Sequence, residues 1–156
     1  MRFLVSTCAA YRLVPVIQCC AGFTSAQASV VYRSTLQARI KACGWDDTDT
    51  LNSANNLANA LLSDGKAHQA ADIFRETLRR QQKLLGRQHT ETIKTANNLA
   101  FTLLGIDGAG EEALVWFREV VAASVAWHGP GHPHTLAAKN SLAGALFSLQ
   151  KFTEAM

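Results

Sequence analysis

Between Leu51 and Leu62 the apolar positions Leu51, Ala54, Leu57, Ala58, Leu61 and Leu62 fall at steps of three and four. At 3.6 residues per turn such steps gather on one face, so the pattern predicts an amphipathic helix. Ser63-Asp64-Gly65-Lys66 interrupts it with turn-forming residues. Ala67, Ala70, Ala71, Phe74 and Leu78 then restart the pattern as a second helix that fades near Gly86. The unit predicted is a hairpin of two helices.

The hairpin repeats. Thr50, Ala54, Asn55, Asn56, Leu57, Ala58, Leu61 and Leu62 return 42 residues later as Thr92, Ala96, Asn97, Asn98, Leu99, Ala100, Leu103 and Leu104. One inserted residue then shifts the offset to 43, and Gly65, Ala70, Phe74, Arg75, Glu76 and Gly86 return as Gly108, Ala113, Phe117, Arg118, Glu119 and Gly129. A third copy starts at Thr135 with Asn140, Leu142, Ala143 and Leu146, and a partial one lies upstream in Tyr32, Arg33, Thr35, Leu36 and Gly44. This divides the chain into a partial copy at 27–44, full copies at about 46–87 and 88–130, and an incomplete copy at 131–156. One hairpin leaves apolar faces uncovered, so copies must stack. Small residues at Ala58, Ala100 and Ala143, and at Ala70, Ala113 and Ala155, let helices approach closely, with Phe74 and Phe117 filling the space beside them.

Composition narrows the function classes. Apolar residues make up 48% and charged residues 17% of 156 residues, which places the chain among globular proteins. The net charge of +3 is spread along the chain, which argues against a nucleic-acid partner. Arg75, Arg79, Arg80, Lys83 and Arg87 run down one predicted helix and read as a solvated face. No uninterrupted apolar run is long enough for a membrane helix. Cys8, Cys19, Cys20 and Cys43 make no C-x-x-C spacing and are expected to be free thiols. His128, His132 and His134 crowd a Gly/Pro-rich linker without a carboxylate or cysteine to complete a metal shell, so no metal is expected. No nucleophile elbow, paired carboxylates or His-Glu motif is present, and neither an enzyme activity nor a cofactor is expected.

His132-Pro133-His134-Thr135-Leu136 ahead of a first helix, the Asn-Asn-Leu-Ala segments at 55–58 and 97–100, and Leu-Leu then Gly-Lys leading to Ala70 together resemble tetratricopeptide repeats, specifically the longer type of kinesin light chains and nephrocystin-like proteins. Over residues 27–156 the resemblance implies an all-α fold, a right-handed superhelix (α-solenoid) of antiparallel helix hairpins. It further implies a protein or peptide partner held in a concave groove, in an adaptor or scaffold role. Carried over by position, the groove-facing residues are Asn52, Asn55, Asn59 and Leu62, then Lys94, Asn97, Phe101 and Leu104, then Ala137, Asn140, Gly144 and Phe147. The residues give an independent reason for the asparagines. Asn55, Asn97 and Asn140 precede the apolar Leu and Ala of each helix, and an amide there offers both a donor and an acceptor to a peptide backbone.

Two alternatives stay open. The asparagines could instead bond neighbouring loops and hold the stack in register. The whole array could be an architectural or regulatory segment of a larger protein whose enzymatic or nucleotide-binding domain lies outside this chain. The incomplete C-terminal copy, with Leu142, Leu146 and Phe147 on its apolar face, is expected to favour self-association. Residues 1–26 lack acidic side chains, carry Arg2 and Arg12, and contain Pro15 where a helix centre would fall; they read as a degenerate first helix or as a targeting segment. A cytoplasmic location is the expectation if no targeting segment operates.

Overall fold

The computed structural model describes residues 25–154, so the readings of residues 1–24 lie outside the described residues. Helices occupy Ser25–Cys43 (α1), Thr48–Ser63 (α2), Ala67–Leu84 (α3), Thr90–Leu104 (α4), Gly110–His128 (α5) and Pro133–Glu154 (α6). No strand occurs among the described residues. The helices fall into two units, one carrying α1 and α2 and the other α3 to α6.

In the first unit α1 packs on α2. Most of the predicted stripe of α2 is buried: Leu51, Ala54, Leu57, Ala58 and Leu61 are in the core, whereas Leu62 is 37% exposed. Full burial of a leucine side chain is worth about 1.5–3 kcal/mol, so the stripe holds α2 in place more firmly than its intrinsic helix propensity. Its start is fixed locally, because Asp47 accepts a hydrogen bond from the Thr50 N–H (2.9 Å) and one from the Thr50 hydroxyl (3.1 Å). Cys43, at the end of α1, is the one cysteine among the described residues and is disulfide-bonded, which corrects the expectation of a free thiol there.

In the second unit each helix packs on the next, α3 on α4, α4 on α5 and α5 on α6. Ala70, Phe74 and Leu78 of α3, Leu99, Ala100 and Leu103 of α4, and Ala113, Phe117 and Val120 of α5 are buried. Alanines at 100 and 113 admit close approach, and Phe117 supplies the bulk. Two buried hydroxyls are satisfied within their own helices: Thr77 donates to the Ile73 carbonyl and Thr102 to that of Asn98, both at 2.8 Å. At the start of α5, Gly110 lies so close to the Leu149 side chain of α6 that a Cβ would collide with it.

Repeated glycines end the helices. Gly86 and Gly129, one repeat apart, adopt φ of +90° and +89°. A residue with a Cβ resists this left-handed region, which lets the chain leave the helix and satisfy its last carbonyls. A Cβ on Gly86 would meet nothing within 4 Å, so any cost of Gly86→Ala comes from backbone conformation alone. We expect that substitution to lower stability by about 1–2 kcal/mol. Gly144→Ala, inside α6 and equally unhindered, should raise stability by about 0.5–1 kcal/mol. Equilibrium urea unfolding of both variants checks the opposite signs.

Of the basic run, Arg75, Arg79 and Arg80 of α3 and Arg87 beyond its end are engaged with acidic side chains. Arg75 holds Glu112 of α5 with two donor contacts to one carboxylate (2.9 and 3.0 Å), and Arg87 reaches Glu119 at 3.5 Å. Arg79 and Arg80 both bond Glu76, and these bonds, with Arg79 foremost, hold the pKa of its carboxyl at about 2. Apart from Arg80, whose side chain is 23% exposed, these groups are substantially exposed, so the Arg75, Arg79 and Arg87 pairs each add at most about 1 kcal/mol.

The contrast between α4 and α6 reports what covers each. Leu103 is 1% exposed, whereas its counterpart one repeat on, Leu146, is 44% exposed and Phe147 beside it 61%. α5 packs on α4, but no helix follows α6 among the described residues.

Candidate ligand cleft of the second unit

Three helical stripes converge in the second unit. Thr90, Ile93, Lys94 and Asn97 come from α4, Val120, Ser124 and His128 from α5, and His134, Ala137, Ala138 and Ser141 from α6. Within each set the residues lie mostly three or four apart, so each is one face of its helix. Between them lies a cleft of about 140 Å³. Ile93, Val120, Ala137 and Ala138 give it apolar walls, and Asn97, Ser124, Ser141 and Thr90 add hydrogen-bonding groups. No carboxylate lines it. Lys94 is paired with Glu91 one turn away at 2.9 Å, an exposed pair that a stronger anionic partner can displace.

Of the residues expected from sequence, the structure brings Lys94 and Asn97 together in this cleft, with Ala137 opposite. Phe101 stands one turn further along α4, 47% exposed, with its ring edge-on to the buried Phe117 ring (centroids 5.0 Å apart, planes at 83°). Asn140 is exposed and does not line the cleft; its neighbour Ser141 does. In the first unit Asn52 and Asn55 are half-buried on α2 and Asn59 is exposed.

Among the cleft residues not expected from sequence are His128, His134 and Ser141; the histidines read from sequence only as candidate metal ligands. The usable signal is the repeat offset, which superposes His132 on His89. Both cap a helix: His89 Nδ1 accepts from the Glu91 N–H and His132 Nδ1 from the His134 N–H, each at 3.2 Å. A histidine caps α4 and α6 as Asp47 caps α2. Pro133 at the first position of α6 has no N–H to satisfy and a φ already suited to the helix.

Around the α6 cap three imidazoles meet. The ring centroids of His128 and His132 lie 4.5 Å apart with planes at 13°, those of His132 and His134 5.2 Å apart, and those of His128 and His134 5.4 Å apart. Desolvation lowers the pKa of His128, and the two neighbouring histidines lower it further. Among the described residues no group of three histidine, cysteine, aspartate or glutamate side chains is arranged to hold a metal ion.

A larger cleft of about 250 Å³ opens between the end of α3, α4 and α5. Its α5 wall is Ala122, Ala123 and Ala126, at the repeat positions held in α3 by Arg79, Arg80 and Lys83. Missing long stems explain the space, and the Arg87–Glu119 pair flanks it. It holds none of the groove positions expected from sequence, so size alone does not make it the ligand site.

Comparison with known proteins agrees with this architecture. A tetratricopeptide repeat family model matches residues 50–91 and 92–134, more than half of the chain. Against curated proteins the chain has no match. A structure from Podosopora anserina, described as a putative kinesin light chain with nearly identical TPR-like repeats, is 23% identical with a TM-score of 0.74, covering 84% of this chain and 62% of that one. A point variant of the same Podosopora anserina repeats gives a TM-score of 0.73 at 23% identity, covering 84% and 61%. BtubC (BKLC) from P. vanneervenii is 19% identical with a TM-score of 0.73, covering 84% and 52%. The chain therefore spans 52–62% of the length of these structures, which it resembles in fold. No described helix is long and apolar enough to cross a membrane. With six helices and no strand among the described residues, and two matched repeats, the chain belongs to the tetratricopeptide repeat family, all-α solenoids that serve as protein-interaction modules.

Proposed function

We propose that this chain is a non-catalytic adaptor module that binds a peptide segment of a partner protein, and that the cleft between α4, α5 and α6 is part of its ligand site. The observation that carries the reading is the meeting of Lys94 and Asn97 with Ser141 and His134 over apolar walls. An extended peptide needs alternating donors and acceptors along its backbone and small pockets for its side chains. Asn97 offers both kinds of hydrogen bond, Ser141 a hydroxyl, and Lys94 a cation for an acidic side chain or a C-terminus. Phe101, half exposed and braced by Phe117, adds an apolar anchor one turn away. Asn52, Asn55 and Asn59 of α2, and Asn140 of α6, are further proposed contacts. The cytoplasm is the proposed location. The exposed Leu146 and Phe147 would support self-association at the C-terminal end.

A peptide-array screen of the full chain at about pH 7.5 tests the reading. Removing one side of a desolvated hydrogen bond costs about 1–3 kcal/mol, so Asn97→Ala should weaken selected peptides about 5–150-fold. Lys94→Ala should weaken acidic peptides selectively, whereas Lys139→Ala, outside the cleft, should bind like the wild type. Equal binding by all four proteins would remove the site assignment and favour an architectural or regulatory role within a longer chain.

A further inference from the structure

We propose that the His128–His132–His134 cluster is a pH-sensitive latch that keeps the α5–α6 junction, and with it one wall of the cleft, closed near neutral pH and releases it in mild acid. The inference concerns regulation of the ligand site proposed above and rests on that reading, but its mechanism involves only this chain.

Two features of the cluster require neutral rings. The cap on α6 is one. His132 Nδ1 accepts the His134 N–H at 3.2 Å, and an acceptor nitrogen carries no proton. Protonation turns that acceptor into a donor facing a donor and puts a positive charge at the positive end of the helix dipole. Stacking is the other. With ring centroids 4.5–5.4 Å apart, each proton taken up repels the next.

The surrounding charges do not relieve this repulsion. From α4 the cleft receives Lys94, a further cation whose Glu91 partner is occupied at 2.9 Å. From α5 comes His128, and from the linker and α6 come His132 and His134. No carboxylate lines the cleft, and Glu119 of α5 is turned to Arg87. Desolvation, and then its two histidine neighbours, lower the pKa of His128. The sign follows. A histidine held neutral by the fold supports the closed form above the ordinary histidine range, about pH 6.5, and that support is lost as pH falls below it.

His89 supplies an internal control. It caps α4 in the same way, at 3.2 Å, but lies outside the trio of adjacent rings. The junction at α6 should therefore respond more strongly than the start of α4.

Amide hydrogen exchange on the full, ligand-free chain tests the latch, with protection factors compared at about pH 7.5 and about pH 5.5. Wild type should lose protection about tenfold or more over residues 128–138 on acidification, and less over 89–95. His132→Asn keeps a cap acceptor that does not titrate and should abolish most of the acid response, while His128→Asn removes one of the three repelling rings but leaves the titratable cap and should reduce the response toward that of residues 89–95. Unchanged wild-type protection across that pH interval, or a loss in both variants equal to that of the wild type, would overturn the proposal. Because no peptide is present, failure of the latch is distinct from failure of the ligand site, which the array at about pH 7.5 addresses in the closed form.

Discussion

Phe117→Ala is expected to destabilise the second unit by about 3–5 kcal/mol, a large share of the roughly 5–15 kcal/mol that holds an ordinary domain together. Phe117 is fully buried in α5, and the alanines at 100 and 113 are fully buried on the helices that pack together there. Small residues leave no flexible side chain to move into the vacated space, so most of the cavity should persist. The edge-on contact with Phe101 goes as well. Phe101→Ala loses the same contact but only a half-exposed ring, and should cost about 0.5–1.5 kcal/mol. Urea titrations of the full chain, with the slope checked for a change in the surface exposed, measure both values. A loss below about 1 kcal/mol for Phe117→Ala would mean that α4 and α5 are not held together as described.

One repeat position should give opposite results in two copies. Thr92 and Thr135 are equivalent in sequence and both are fully buried. The Thr135 hydroxyl is shared between the carbonyls of Gly129 (2.8 Å) and Ser124 (3.1 Å), tying the start of α6 to the end of α5. The Thr92 hydroxyl has no partner among the described residues; its copy is capped by His89 bonding Glu91, not by a carboxylate that also takes the hydroxyl as Asp47 does for Thr50. Valine matches threonine in shape without the hydroxyl. Thr135→Val should therefore cost about 1–3 kcal/mol, whereas Thr92→Val should be neutral or stabilising. Thermal unfolding monitored by circular dichroism separates the two. Equal losses would show that the hydroxyl at this repeat position acts the same way in both copies, contrary to the geometry.

The helices of the repeat were legible because burial and period coincide. Leu57, Ala58 and Leu61 recur as Leu99, Ala100 and Leu103, and all six are buried. Turn glycines at 42- and 43-residue offsets were equally plain, since a left-handed backbone selects glycine. Of the positions that the family resemblance carries over, Lys94 and Asn97 line the proposed cleft, but Asn140 does not line it while Ser141 does, because a position on a helix states a direction and not what stands opposite. The histidines were visible as a cluster, yet their capping role depends on which ring nitrogen meets which N–H. That distinction is absent from composition or spacing. The disulfide of Cys43 is not legible from spacing, since pairing depends on which cysteines approach in space.

The central claim is that a partner peptide lies in the cleft between α4, α5 and α6. An NMR titration of the isotope-labelled chain with a peptide selected from the array tests it most directly. We predict that shifts concentrate on Lys94, Asn97, His134 and Ser141, with Phe101 at the margin. Shifts confined to the other cleft, at Ala122, Ala126 and Gln88, with Asn97 and Ser141 unmoved, would contradict it.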